Sequence, residues 1–325
     1  MERINPTFVE ECIVLDLSGQ LELEIIYFVP VLVVHLVFLT GNSVLSTASI
    51  FDSRLNSGPP IPMYFFLANL SFLDICYTAS SVPSTLVSYL VGRNSTSISG
   101  YASQMYFSFA MGSTECVLLS MMAYDRYVAI CNPLRYPVIM NRRVCVQIAG
   151  SSWVTGCLTA LVETGPVIQL SLCGNSIINH FTCEILALLK MACVDTSMVQ
   201  LIMLVISILL LPLPMLLICV SYAFILSNIL RISTVDGRSK AFSTCAAHLT
   251  VVVLFFGTAL SMYLKPSPVN SQEIDKFMAL IYAGLTPMLN PIIYSLLNND
   301  VKMAVKKLLR RHSFIAILTS VLKQY

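Results

Sequence analysis

Asp74 and Glu115 have the strongest claim to chemistry, because each carboxyl lies within a long apolar run. An ionised group at the centre of a bilayer costs at least ~2.5 kcal/mol, so each needs a partner or a task. Two readings stand open. Either the two acids face each other and share a cation, a sodium ion that favours a resting state, or one carboxyl is protonated and hydrogen-bonds to Asn42 or Asn290, which also lie in apolar runs. Asp125, Arg126 and Tyr127 set opposite charges side by side at the end of another run. His35 and His248 have no acidic or cysteine partners at metal-ligand spacing and read as hydrogen-bonded packing residues. HExxH, GxSxG, Walker and dinucleotide motifs are all missing from the sequence, so no enzyme is expected.

These side chains need a scaffold that carries them through lipid. The 325 residues are 56% hydrophobic and 11% charged, with a mean hydropathy of +0.79, well beyond a soluble domain. Runs long enough to cross about 30 Å of hydrocarbon as helices fall near 25–50, 63–90, 101–125, 144–164, 199–228, 242–263 and 276–297. The expected fold is an all-α membrane protein: a seven-transmembrane helix bundle over 25–297, after an extracellular tail over 1–24. A short amphipathic cytoplasmic helix over 298–312 and a cytoplasmic tail over 313–325 follow. Its basic residues, Lys302 to Arg311, alternate with Val301, Ala304, Val305, Leu308 and Leu309, which suits the anionic inner leaflet better than a nucleic acid.

Orientation follows from the 19 lysines and arginines rather than from the net charge of +2. With the N-terminus outside, only Arg3, Arg93, Lys190, Lys265 and Lys276 lie on the outer side, leaving the remaining fourteen inside. The acidic first 24 residues lack an apolar core, so the first span, not a cleavable peptide, is expected to direct insertion. There is no separate soluble domain, repeat or low-complexity tract. A transporter or channel, the rival from another class, would need inverted repeats or a polar path, and two acids make no path.

Ordered motifs narrow the reading further. Met121 to Tyr136 reads MMAYDRYVAICNPLRY; Gly41-Asn42, Pro62 to Asp74 (PMYFFLANLSFLD), Ser221-Tyr222, Lys240 to His248 (KAFSTCAAH) and Pro287 to Tyr294 (PMLNPIIY) occur in sequence around it. This set resembles the olfactory (odorant) receptor family, a branch of the rhodopsin-like G-protein-coupled receptors, from the first span to Arg311. The resemblance implies a plasma-membrane receptor that binds a small volatile odorant and activates a heterotrimeric G protein of the olfactory stimulatory class, raising cyclic AMP. It implies coupling and switching roles for Asp125, Arg126, Tyr127, Tyr222, Lys240, His248, Asn290, Pro291 and Tyr294. Asp125 would hold Arg126 at rest in a latch worth about 1 kcal/mol at a water boundary, and Tyr294 would swing toward Tyr222 on activation. The sodium reading of Asp74 and Glu115 leans on the same resemblance.

The ligand site is likewise implied, between the outer halves of the third, fifth and sixth spans. Helical spacing puts Met105, Ser108, Phe109, Gly112 and Ser113 on one face of the third. Met203, Ile206, Ser207 and Leu210 oppose them from the fifth, and Phe256, Ala259, Leu260 and Tyr263 from the sixth. That lining is apolar with a few hydroxyls and no carboxylate or amine, which suits an alcohol, ketone, ester or hydrocarbon.

Departures from the family pattern matter as well. Where relatives carry a cysteine, in the stretch SISGYASQMY from Ser97 to Tyr106, this chain has Tyr101, which leaves Cys183 without its usual partner. Cys173 and Cys193 would still close a disulfide, and Cys12 is a remote substitute for Cys183. A chain impaired in folding or trafficking is therefore the alternative reading. The tail sequon at Asn5 is blocked by Pro6, leaving Asn94 as a weak glycosylation acceptor, while Asn69 lies within a span. Phe256 stands where relatives usually show tyrosine.

Overall fold

The computed structural model describes residues 11–14, 21–51, 62–91, 95–168, 177–178, 189, 192–231, 233–263, 289–290, 292–294, 302–303 and 305–306. Its helices are α1 (Leu21–Phe51), α2 (Pro62–Val91), α3 (Ile98–Cys131), α4 (Tyr136–Ile139), α5 (Arg142–Ile168), α6 (Ser197–Leu210), α7 (Pro212–Arg231) and α8 (Val235–Tyr263). Each expected span from the first to the sixth is helical, and α8 begins seven residues before the expected 242. Of the seventh expected span only 289–290 and 292–294 are described, and of the expected cytoplasmic helix only 302–303 and 305–306; all are helical.

Among the described residues, five helical stretches are long and apolar enough to cross a bilayer: Phe28–Ile50, Pro62–Pro83, Arg142–Ile168, Ser197–Arg231 and Val235–Leu260. The fourth of these joins α6 and α7. Pro212 lacks the N–H that would bond the Ile208 carbonyl, so the helical ladder breaks here although Leu211 stays in the helical region and its N donates to the Ser207 carbonyl at 3.0 Å. Helix α3 is not among the five. Glu115, Asp125 and Arg126 lower its hydropathy, and it has less need of an apolar shell because it packs against α2, α5, α6, α7 and α8.

Apolar side chains point outward as well as inward. On the fifth span Leu204, Leu213, Leu216 and Phe224 are all more than half exposed, a lipid-facing surface rather than a solvated one. Inside, Leu45, Leu67, Leu70, Leu118, Leu119, Val251, Phe255 and Tyr294 belong to one buried cluster. Helices α3 and α5 approach most closely at Gly156, where a Cβ would sit 2.5 Å from the Ala110 carbonyl oxygen and 2.9 Å from the Thr114 nitrogen. Trp153 Nε1 donates to Asn69 Oδ1 at 3.2 Å, tying α5 to α2 and occupying the amide of a sequon that the sequence already places within a span.

The fold is not wholly helical. Three short strands, β1 (Glu11–Val14), β2 (Ser95–Ser97) and β3 (Ile177–Ile178), form a sheet in the order β2-β1-β3. Strand β1 runs antiparallel to β2, with Cys12 opposite Thr96, and parallel to β3, with Ile13 opposite Ile177. The all-helical expectation missed this because two- to four-residue strands leave no period to read.

Candidate functional site

The buried charges sit where α3 meets the short α4. Arg126 Nη2 donates to Asp125 Oδ2 at 2.6 Å, and the Tyr136 hydroxyl donates to Asp125 Oδ1 at 2.8 Å. Both carboxylate oxygens are thus occupied. Asp125 is 1% exposed and Arg126 9%, which corrects the expectation of a pair at a water boundary: removing one partner of a buried pair costs roughly 3–5 kcal/mol, well above a surface bridge. Burial, and after it the Asp125 carboxylate, hold the Tyr136 phenol above its ordinary range, so it stays a donor. Tyr127 lies half-buried beside Phe224, ring centroids 5.9 Å apart.

A second junction joins α3, α7 and α8 through His248. Its Nε2 lies 3.1 Å from the Leu119 carbonyl oxygen and its Nδ1 2.8 Å from the Tyr222 hydroxyl. A carbonyl only accepts, so Nε2 carries the proton, Nδ1 is the acceptor and Tyr222 donates. The rings stack 5.8 Å apart at 9°. His248 is hydrogen-bonded, as expected, and locks three helices together, whereas His35, expected to be bonded as well, buries an Nδ1 with no partner among the described residues. Tyr294 does not reach this junction by a hydrogen bond; its hydroxyl is buried without a partner among the described residues.

The third cluster surrounds the intramembrane acids. Asn290 Nδ2 donates to Asp74 Oδ2 at 3.0 Å, linking the described part of the last span to α2. Asn42 instead turns its amide to the Phe38 carbonyl at 3.4 Å. Asp74 Oδ1, Glu115 Oε1, Asn42 Oδ1 and Ser71 Oγ are buried with no hydrogen-bond partner among the described residues. Unpartnered oxygens on this scale are rare in protein interiors. Asp74 and Glu115 lie close enough for their charges to interact, and such an oxygen-rich set fits a hard monovalent cation.

On the ligand face implied by the sequence, Met105, Ser113, Ile206, Phe256 and Ala259 are buried. Ser108, Phe109, Gly112, Met203, Ser207, Leu210 and Leu260 are half-buried. The helices that bear them adjoin, since α3 contacts both α6 and α8. Cys193 is disulfide-bonded; Cys173 and Cys183 lie outside the described residues, as do Asn94 and Pro291 and the side chains of Lys240 and Tyr263. Tyr101 is 3% exposed in the first turn of α3, so the ring that stands in place of cysteine fills its site.

Residues 31–312 match the family model described as Olfactory receptor. Human olfactory receptor 13F1 is 69% identical over 302 residues, covering 93% of each chain. Human olfactory receptor 2K2 is 64% identical over 287 residues, 88% of this chain and 89% of its own. The chain belongs to the olfactory receptor family. It is a multi-pass membrane receptor of the G-protein-coupled class, with an odorant as ligand and a G protein as partner.

Within that receptor, three features went unread in the sequence. Tyr136 was visible in the MMAYDRYVAICNPLRY run, but its bond to Asp125 depends on the turn that α4 makes. Glu163, in α5, is a third acid inside a span, 7% exposed, and the same signal that marked Asp74 and Glu115 marks it. Strand β1, drawn from the N-terminal tail, is the third.

Proposed function

We propose that this olfactory receptor crosses the plasma membrane seven times, N-terminus outside, and that odorant binding activates the olfactory stimulatory G protein and cyclic-AMP production. The observation that carries the reading is Arg126, held inside the bundle by Asp125 while Tyr136 caps the same carboxylate: a buried cation on an openable latch, with the excess of basic residues on its side of the membrane. The odorant lies between α3, α6 and α8, against Met105, Phe109, Ile206 and Phe256, a lining that suits a small, mostly apolar molecule.

Asp74 and Glu115, with Asn42, Ser71 and Asn290 around them, would hold a sodium ion as an allosteric modulator of the resting state. Sodium, when bound, supplies the positive charge that two facing carboxylates lack. The Asn290 bond to Asp74 also supports the plainer reading of one protonated acid. Cys193 pairs with Cys173 in this proposal, Asn94 is a weak glycan acceptor, and 298–312 lies on the inner leaflet as an amphipathic helix.

The test is cyclic-AMP output to an odorant panel in cells expressing the N-terminally tagged chain, with surface staining alongside. A dose-dependent rise that Arg126→Ala abolishes at equal surface level is expected. Surface receptor with no cyclic-AMP response to the panel would overturn the coupling. Tyr101 favours one second reading, a chain that reaches the surface poorly because its second outer loop lacks the usual covalent anchor. Tyr101→Cys, stained beside the native chain, separates the two.

A further inference from the structure

We propose that Glu163, with Thr164 beside it, forms the polar end of the odorant site and selects ligands whose head group donates a hydrogen bond, a hydroxyl or an ammonium on an apolar body.

The buried residues of α5 are Cys145, Ala149, Ser152, Gly156, Ala160, Glu163, Thr164 and Val167. Apart from Thr164 they recur every three or four positions, a single stripe facing the bundle. Glu163 is therefore turned inward, not toward lipid. Among the described residues Glu163 has no hydrogen bond or ion pair, and its neighbour Thr164 buries an Oγ1 with no partner there. Threonine in a helix usually returns its hydroxyl to the carbonyl four residues back, as Thr159 does to Thr155 at 2.9 Å. Two consecutive inward polar groups thus have no partner among the described residues.

Their depth follows from the helix crossing. Gly156 touches Ala110 and Thr114 of α3, and the two helices run in opposite directions. Glu163 stands seven residues further along α5, about 10 Å nearer the expected outer end. A helical side chain leans toward its helix N-terminus, which for α5 brings the carboxyl back to the level of Ser108 and Gly112. The carboxyl also lies in the neighbourhood of the Cys116 side chain of α3. Helix α5 also packs on α6, which carries Met203 and Ser207. The carboxyl accordingly borders the face proposed to hold the odorant, and the lining does include an acid after all. A carboxyl accepts a hydrogen bond whether ionised or not, and an ionised one gains most from an ammonium.

The inference rests on the odorant site proposed above, so its test reads binding rather than signalling. Full-length receptor in lipid nanodiscs is mixed with n-octanol, octylamine, octanone or n-octane, and the ligand-induced rise in Tm is followed against concentration. Octanol and octylamine are expected to stabilise the native chain at concentrations about tenfold or more below those needed for octanone and octane. Glu163→Gln, which keeps shape and an acceptor, should weaken octylamine by about tenfold while sparing octanol; Glu163→Leu should remove both preferences. If Glu163→Leu does not fold, Glu163→Gln alone decides. Equal potency of all four probes, no stabilisation by any of them, or octylamine binding unchanged in Glu163→Gln overturns the proposal. Ligands that bind in this way yet raise no cyclic AMP would instead count against the coupling and leave the role of Glu163 standing.

Discussion

The Tyr136 hydroxyl, from the turn after α3, lies 2.8 Å from Asp125 Oδ1, on the side of the carboxylate that Arg126 leaves open. Two donors on one buried acid hold it more firmly than the arginine alone could, because both of its oxygens are satisfied without water. Tyr136 thus fixes the carboxylate that holds Arg126, so α4 is part of the latch.

Tyr136→Phe keeps the ring and removes only the donor. The resting state should lose about 1–3 kcal/mol, the range for a hydrogen bond to a charged group. Ligand-independent cyclic AMP, normalised to surface receptor, is expected to rise severalfold. Unchanged basal output would mean that the phenol merely packs.

His248 and Tyr222 should behave as one unit. Tyr222→Phe removes the donor to Nδ1, and His248→Phe removes both of the histidine's bonds. The two losses share an interaction, so the double variant should be less damaged than the sum of the singles, with a coupling of about 1 kcal/mol. Thermal unfolding of purified receptor measures it; strict additivity would show that the stacked rings do not depend on the bond.

The intramembrane oxygens predict an ion effect. Replacing sodium by choline in membrane preparations should raise ligand-independent nucleotide exchange on the G protein, since the proposed resting arrangement would lose its cation. Asp74→Asn should make exchange insensitive to the replacement. The same sodium response in native and Asp74→Asn membranes would favour a protonated acid held by Asn290, whose amide lies 3.0 Å away.

Gly156 and Gly150 form a matched pair on α5. A methyl at Gly156 would meet two backbone atoms of α3 that cannot rotate away, whereas nothing lies within 4 Å of one at Gly150. Gly156→Ala should destabilise the receptor by about 1–3 kcal/mol. Gly150→Ala should be neutral or stabilising by up to ~1 kcal/mol, from helix propensity alone. Equal effects on Tm would mean that the helices separate to admit the methyl.

The helices over the first six expected spans were legible because a bilayer demands about 20 apolar residues at a time, a signal that survives local irregularities such as the break at Pro212. The charges at Asp74, Glu115 and Asp125 were legible for the opposite reason, as expensive exceptions in those runs. Their partners were not. Whether Asn42 or Asn290 serves Asp74 depends on helix rotation, and the structure chooses Asn290. Tyr136 reaches Asp125 only because Pro133 to Arg135 form a turn. Glu163 carried the same signal as the other acids and was passed over because no motif drew attention to it.

The sheet bears on the missing cysteine at Tyr101. Strand β2 ends at Ser97 and α3 begins at Ile98, so whatever holds β2 holds the start of α3. Strand β1 pairs with β2 on one side and with β3 on the other, and Ile178 of β3 lies five residues before Cys183. Backbone hydrogen bonds through β1 therefore join the start of α3 to the segment before Cys183, the two places that the family resemblance expects a disulfide to join. Ile13 is the residue registered with both neighbours, Ser95 and Ile177, and a proline in a central strand removes a ladder donor. Ile13→Pro should lower surface staining well below the native level. Adding Tyr101→Cys to it should restore staining, because a covalent route through Cys183 makes the strand redundant. Native staining in Ile13→Pro would show that the strand bears no load, whereas loss without rescue would assign β1 a role apart from the tether, such as covering the ligand site.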